Sequence, residues 1–199
     1  MHPPIKTPKR KFTIGFTAAF TRYYITNPRH IAIRQILWYN IVMSTLYLMP
    51  VPKMMIFDQM HFGRNTKKND NEQGGILLGE TFTKDNKTYG IIRDVILSKA
   101  TGTKDTFHMN IYELAEMCKR ARLRNDINGT NWKQIGWYHS HPNGATHLSE
   151  TDILNHQKHF PQNDGFCMIV CPKHKKLHAF MSSSITPVNL QFGNKRTLC

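Results

Sequence analysis

The sequence predicts an α/β or α+β domain, with strands and helices layered around one sheet. Three observations lead there. After residue 52, short runs rich in β-branched and apolar residues alternate with segments of helical periodicity. Two of these runs are joined only by Asp85, Asn86 and Lys87, which is hairpin spacing. A chain of 199 residues is long enough for one sizeable core and short for two.

The elements follow in order. Residues 1–52 read as a basic N-terminal extension, and residues 53–199 as the folded domain. No Asp or Glu occurs before Asp58, so much of the formal net charge of +14 belongs to this leader. The leader ends in "ILWYNIVMSTLYLMPVP", starting at Ile36, an apolar run shorter than the roughly 20 residues a spanning helix needs. A poorly ordered tail fits it best, then a membrane-surface anchor, with a spanning helix last. "PKMMIF" (Pro52 to Phe57) is a candidate first strand, and the polar stretch from His61 to Gln73 a loop.

"GGILLGETF" from Gly74 and "TYGIIRDVILSKA" from Thr88 form the hairpin. "NIYELAEMCKRARLRN" carries apolar residues at Ile111, Leu114, Ala115, Cys118 and Leu123, with a basic opposite face. Asn110 is its candidate N-cap, with Glu113 closing a capping box. "WKQIGWYHSH" (Trp132 to His141) is a strand, "SETDILNHQKHF" from Ser149 a helix, and "GFCMIVCP" and "KLHAFMSS" the last strands. Four cysteines form no C-x-x-C pair, and read as reduced thiols of a cytoplasmic protein.

The chemistry concentrates in "GWYHSHPNGATHLSETD". His139 and His141 are two apart on a strand, so both imidazoles point to one face. In a chain with eleven histidines that spacing alone is ordinary. Asp152 adds weight. It sits one turn into a helix begun by Ser149, where an acid is also favoured simply as a cap. If the intervening loop folds back, the carboxylate becomes a third ligand. Two His and one carboxylate leave a fourth position open, as in catalytic zinc sites. A metal-activated water still needs a base, and Glu72, Glu80 and Glu150 are the candidates by position. His147 reads as a solvent-facing loop residue. His156 and His159 with Cys167, Cys171 or His174 match no usual zinc spacing, and Trp132 and Trp137 read as core or strand-edge aromatics.

His139, Ser140, His141, Ser149 and Asp152 together spell H-S-H-x7-S-x-x-D, which resembles the full signature of the JAMM, or MPN-plus, zinc metalloproteases. "EQGGILLG" from Glu72 is similar to the E-x-G-G-x-L-x-G segment of prokaryotic JAB-domain peptidases. The likeness runs from about Glu72 to Met181. It implies one Zn2+ held by His139, His141 and Asp152, with Glu72 as general base. It implies Ser149 as a residue that orients a ligand or stabilises the oxyanion, with Ser140 near enough to be a second candidate. The implied fold is a single mixed, curved β-sheet flanked by helices, as in cytidine deaminases. The implied substrate is a ubiquitin-like tail or similar protein conjugate, in a bacterial conjugation or antiphage system with E1-like and E2-like partners. Two departures bear on substrate: the polar "NGATH" loop, and the shortness of Ala100 to Phe107, where larger relatives carry an insertion. The competing readings are a non-catalytic scaffold of the same fold and a RadC-like DNA-associated protein, whose H-x-H-P-x-G loop "HSHPNG" resembles. "EQGGILLG" fits the peptidase branch better, so nucleic acid is not the expected partner.

Overall fold

The structure is a computed structural model, and it describes residues 44–64, 70–100, 102–162, 164–181 and 186–194. Most of the leader, and with it the tail and anchor readings, lies outside the described residues. Among those described, no helix is long and apolar enough to cross a membrane.

Seven strands and three helices follow one another: β1 (Thr45–Leu48), α1 (Pro50–Gln59), β2 (Gly74–Lys84), β3 (Lys87–Leu97), α2 (Ile111–Asn128), β4 (Lys133–Ser140), α3 (Glu150–His159), β5 (Phe166–Cys171), β6 (Lys176–Met181) and β7 (Thr186–Phe192). They form a single mixed sheet in the order β1-β3-β2-β4-β5-β6-β7, as expected, and it closes on itself through β1 and β7. The β1–β3, β1–β7 and β4–β5 pairs are parallel and the others antiparallel. The β2–β3 hairpin turns at Asp85 and Asn86, both at positive φ, which suits these residue types.

Apolar side chains cover both faces of the sheet. One cluster takes in Leu46, Ile92, Tyr138 and Phe166 with Ile56 of α1; the other takes in Ile76, Trp137 and Ile169 with Met117 and Ala121 of α2. All six residues of β5 are buried, because each face lies under one cluster. That explains why "FCMIVC" reads as a continuous apolar run rather than an alternating one.

The structure corrects several expectations. Residues 52–57 are helical, not a strand: Pro50 and Pro52 occupy the first turn of α1, where a missing N–H costs nothing. The first strand is Thr45–Leu48 instead, drawn from the apolar run assigned to the extension. The buried residues of α2 are Met117 and Ala121, while Ile111 and Leu123 are exposed. Its basic residues are not all on the outer face. Arg124 reaches both oxygens of buried Asp94 at 2.9 and 3.0 Å, and Arg120 donates to the Leu97 carbonyl. Asn110 caps α2 as expected, accepting from Tyr112 N and Glu113 N, but the Glu113 carboxylate accepts from Ser98 and Lys99, tying the helix to the end of β3. Finally, β7 adds a strand beyond those the sequence pattern indicates. Pro187 argues against it, yet Pro187 pairs only with Phe180 of β6, since the β1 ladder begins at Asn189, so among the described residues the strand is unpaired on its other side there.

Candidate metal centre

Strand alternation and a helix cap bring the ligands together. His139 lies on the face of β4 that carries Trp137, and His141 follows the end of the strand. The loop after His141 turns at Gly144, at positive φ, and delivers Ser149 as the N-cap of α3. A full capping box forms. Ser149 Oγ accepts from Asp152 N at 3.2 Å, while Ser149 N and Oγ donate to Asp152 Oδ2 at 2.8 and 2.7 Å. The cap fixes one carboxylate oxygen and turns the other, Oδ1, to within 3.2 Å of His139 Nε2. Oδ2 lies 3.6 Å from His141 Nε2. His139, His141 and Asp152 are all buried, and their ligand atoms lie within 4.8 Å of one another.

This donor set fits a cation. His141 Nδ1 pairs with the Ala145 carbonyl at 2.9 Å, so it carries the proton and leaves Nε2 bare. That Nε2 faces His139 Nε2 at 2.8 Å, a spacing at which two lone pairs repel unless a proton or cation lies between them. Burial lowers the His139 pKa, which favours the neutral, ligating form. Burial would raise that of Asp152, but hydrogen bonds with His139 and His141 outweigh it and hold the carboxyl well below its usual range. His141 is desolvated too, yet its bonds to Asp152 and Ala145 raise its value. Among the described residues no second group of three such side chains converges, so His156, His159, Cys167, Cys171 and His174 do not form a further metal site.

Glu72 lies in the segment leading into β2 and is buried at the same cleft, a space of about 240 Å³ also lined by Asp105, Phe107, His141, Ser149 and Asp152. Its backbone is clamped by the Gly102–Phe107 loop: Glu72 N donates to Thr103 O and Gly102 N to Glu72 O, both at 2.8 Å. Burial raises the Glu72 carboxyl from 4.5 to about 7; His141 opposes the rise, and Asp152 and Asp105 add to it. A carboxylate poised near neutrality suits a proton shuttle. The paired glycines have a steric reason. A Cβ at Gly74 would strike the Tyr138 carbonyl and the Phe107 ring, and Gly74 pairs directly with His139.

Glu80 and Glu150 are not at the cleft. Glu80 binds Arg93 on the surface and Glu150 is exposed in the first turn of α3. His147 is exposed at the cleft rim. Ser140 faces away from the histidines, since it follows His139 on the strand. Its hydroxyl accepts from Gln73 N at 3.0 Å and its own N–H donates to Gln73 O at 2.8 Å. It therefore joins the Glu72 segment to the histidine strand and does not reach a reacting carbonyl. Ser140→Ala should lower the urea midpoint by the equivalent of about 1 kcal/mol, the worth of the lost hydrogen bond from Gln73 N, while metal content stays at the wild-type level. Sequence reasoning misses this role of Ser140, the Ala145 carbonyl and the Gly102–Phe107 clamp; for Ser140 a hint is present, as Glu72 and Gln73 precede a strand that pairs with β4.

Residues 47–162 match the family model described as JAB1/Mov34/MPN/PAD-1 ubiquitin protease, a span holding Glu72 and every residue of the site. The chain belongs to this family. It is 32% identical over 117 residues to COP9 signalosome complex subunit 5 of Candida glabrata, covering 55% of this chain and 24% of that protein. It is 27% identical over 96 residues to the Lys-63-specific deubiquitinase BRCC36 of Xenopus laevis, covering 48% of this chain and 36% of that protein. The matches thus span about a quarter and about a third of those relatives.

Proposed function

We propose that the chain is a zinc-dependent metallo-isopeptidase that hydrolyses the amide bond joining a ubiquitin-like tail to its target. The observation that carries the reading is the convergence of His139, His141 and Asp152 beside a buried Glu72 in one cleft. A bound zinc supplies Lewis acidity toward a carbonyl and lowers the pKa of a bound water.

The remaining work belongs to the chain. His139, His141 and Asp152 would hold the cation, and the Ala145 carbonyl keeps the proton of neutral His141 on Nδ1, leaving Nε2 able to ligate. Glu72 takes the proton from the attacking water and passes it to the departing amine nitrogen, so that carboxylate and free amine are the products. Ser149 holds Asp152. The short Gly102–Phe107 segment and the polar loop after His141 form the walls past which an extended tail would thread. Support for a protein-conjugate substrate comes from the deubiquitinase named among the relatives, and from the two motifs that resemble the peptidase branch. A conjugation pathway with E1-like and E2-like partners follows from the same resemblance.

The test is cleavage of a ubiquitin-like protein fused through its C-terminus to a reporter, with zinc-loaded and chelated protein. Hydrolysis that zinc restores after chelation is the expected result. Stoichiometric zinc without cleavage of any conjugate, linear or isopeptide-linked, would favour the scaffold reading instead.

A further inference from the structure

Ligating histidines ordinarily donate their second ring N–H to a carbonyl or carboxylate, which fixes the ring. His141 does so through Ala145. His139 does not: its Nδ1 is buried without a hydrogen-bond partner. The ring is held by stacking instead. Trp137 lies parallel to it, with centroids 4.8 Å apart and planes 8° from parallel, and Phe107 stacks at 6.5 Å. Trp137 precedes His139 by two residues on β4, so both rings emerge on one face.

The indole is pinned in turn. Its Nε1–H donates at 3.0 Å to Nδ1 of His156, a side chain buried on α3 one turn after Asp152. That bond fixes the tautomer of His156: Nδ1 accepts, and a proton on a neutral ring sits at Nε2. Burial lowers the His156 pKa, which is consistent with the neutral form. The centre is thus tied at two points between the same elements. Asp152 of α3 reaches His139 of β4, and one turn along the helix His156 grips Trp137, two residues back along the strand.

We propose that His156 and Trp137 form a positioning pair that sets the orientation of His139 in place of the missing Nδ1 hydrogen bond, and so sets the affinity and geometry of the metal centre. The inference rests on the metal reading above. Neither residue takes part in proton transfer; His156 acts through Trp137, and Trp137 through its stacked face. The specific requirement on residue 156 is a hydrogen-bond acceptor at the indole N–H. Residue 137 must provide both a ring and a donor.

The test is direct titration of the full-length chelated protein with Co2+, followed by its visible d–d absorption, and with Zn2+ by competition. Wild type comes first. If it binds neither ion, the metal reading itself fails. If it binds, His156→Phe should weaken binding by about 10- to 100-fold, the range for lost ligand-orienting partners, and shift the cobalt bands. His156→Gln, which keeps an acceptor, should recover most of the affinity and the wild-type spectrum. Trp137→Phe should match His156→Phe, and the double variant should be no worse than either single one, because both break the same link. His156→Phe with wild-type affinity and spectrum would overturn the proposal, as would losses in the two single variants that add in the double. Should His156→Phe fail to fold, His156→Gln and Trp137→Phe decide: equal weakening by both, without rescue by the amide, also overturns it.

Discussion

Replacing Glu72 with Gln should leave zinc binding at the wild-type level and lower amide hydrolysis by about 10²–10⁴-fold, the usual worth of a positioned general base. The two side chains are isosteric, and the amide oxygen can still accept from the Phe107 backbone, so the Gly102–Phe107 clamp has no reason to open. Turnover of the wild type should fall at low pH as the carboxyl takes up a proton and can no longer act as a base, with a midpoint below the metal-free value of about 7 because a bound dication favours the carboxylate. The same residue should affect stability with the opposite sign. Its folded-state pKa of about 7 lies above the 4.5 of the unfolded chain. The stability it contributes is therefore present in full below about 4.5 and lost as pH rises through about 7. Above that point the chelated protein holds a desolvated charge that an amide lacks. Glu72→Gln should then unfold at higher temperature than wild type by the equivalent of about 1–2 kcal/mol, a full shift of this size being discounted for water in the open cleft. At about pH 4 the two should melt together. Melting curves of both chelated proteins on either side of this range, with a zinc assay, check this; a variant that hydrolyses substrate as fast as wild type removes Glu72 from the reaction.

That opposition of activity and stability marks where the sequence is most informative. His139, His141 and Asp152 are legible as a candidate set because strand and helix periods convert spacing into direction, whereas Glu72 is singled out only by the resemblance of its segment, position alone leaving Glu80 and Glu150 open. The hairpin and β5 are legible for a related reason: a turn of Asp-Asn and an unbroken apolar run each have one economical conformation. The misreadings have physical causes too. Pro50 and Pro52 break a strand or start a helix with equal ease, and only the docking of Ile56 into the core decides. In α2, counting Ile111 and Leu123 as apolar points to the wrong face. Arg120 and Arg124 instead turn their charged ends inward, to Leu97 O and Asp94. The Trp137–His156 link joins residues 19 apart with no motif. Its only trace is arithmetic: two before His139 on a strand, four after Asp152 on a helix.

Asp152 is a cap and, in the proposed centre, a ligand, and its two oxygens divide those tasks. Oδ2 takes the N–H and the O–H of Ser149, while Oδ1 faces His139. Asp152→Asn should separate them. The amide oxygen can take the Oδ2 place and keep both bonds from Ser149, which leaves the amide NH2 pointing at the histidines. A donor there opposes a cation, and the negative charge is gone. Zinc affinity should fall by more than the roughly 10- to 100-fold expected for an outer partner, and hydrolysis should vanish, while the helix stays capped and the chelated protein loses little stability. Ser149→Ala should do the converse. It removes a cap at a cost of about 1 kcal/mol and leaves Oδ2 held by the residue 149 backbone N–H alone, so zinc should bind more weakly. Because the Ser149 hydroxyl hydrogen is committed to Asp152, turnover should return towards wild type once zinc is saturating. A deficit in kcat of about 10²–10³-fold that persists at saturating zinc is what a lost oxyanion donor produces, and would assign Ser149 to the reacting carbonyl instead. Zinc titrations with kcat read at each plateau distinguish the two, and they bear on whether the capping box is merely a helix start or the hinge on which the third ligand is hung.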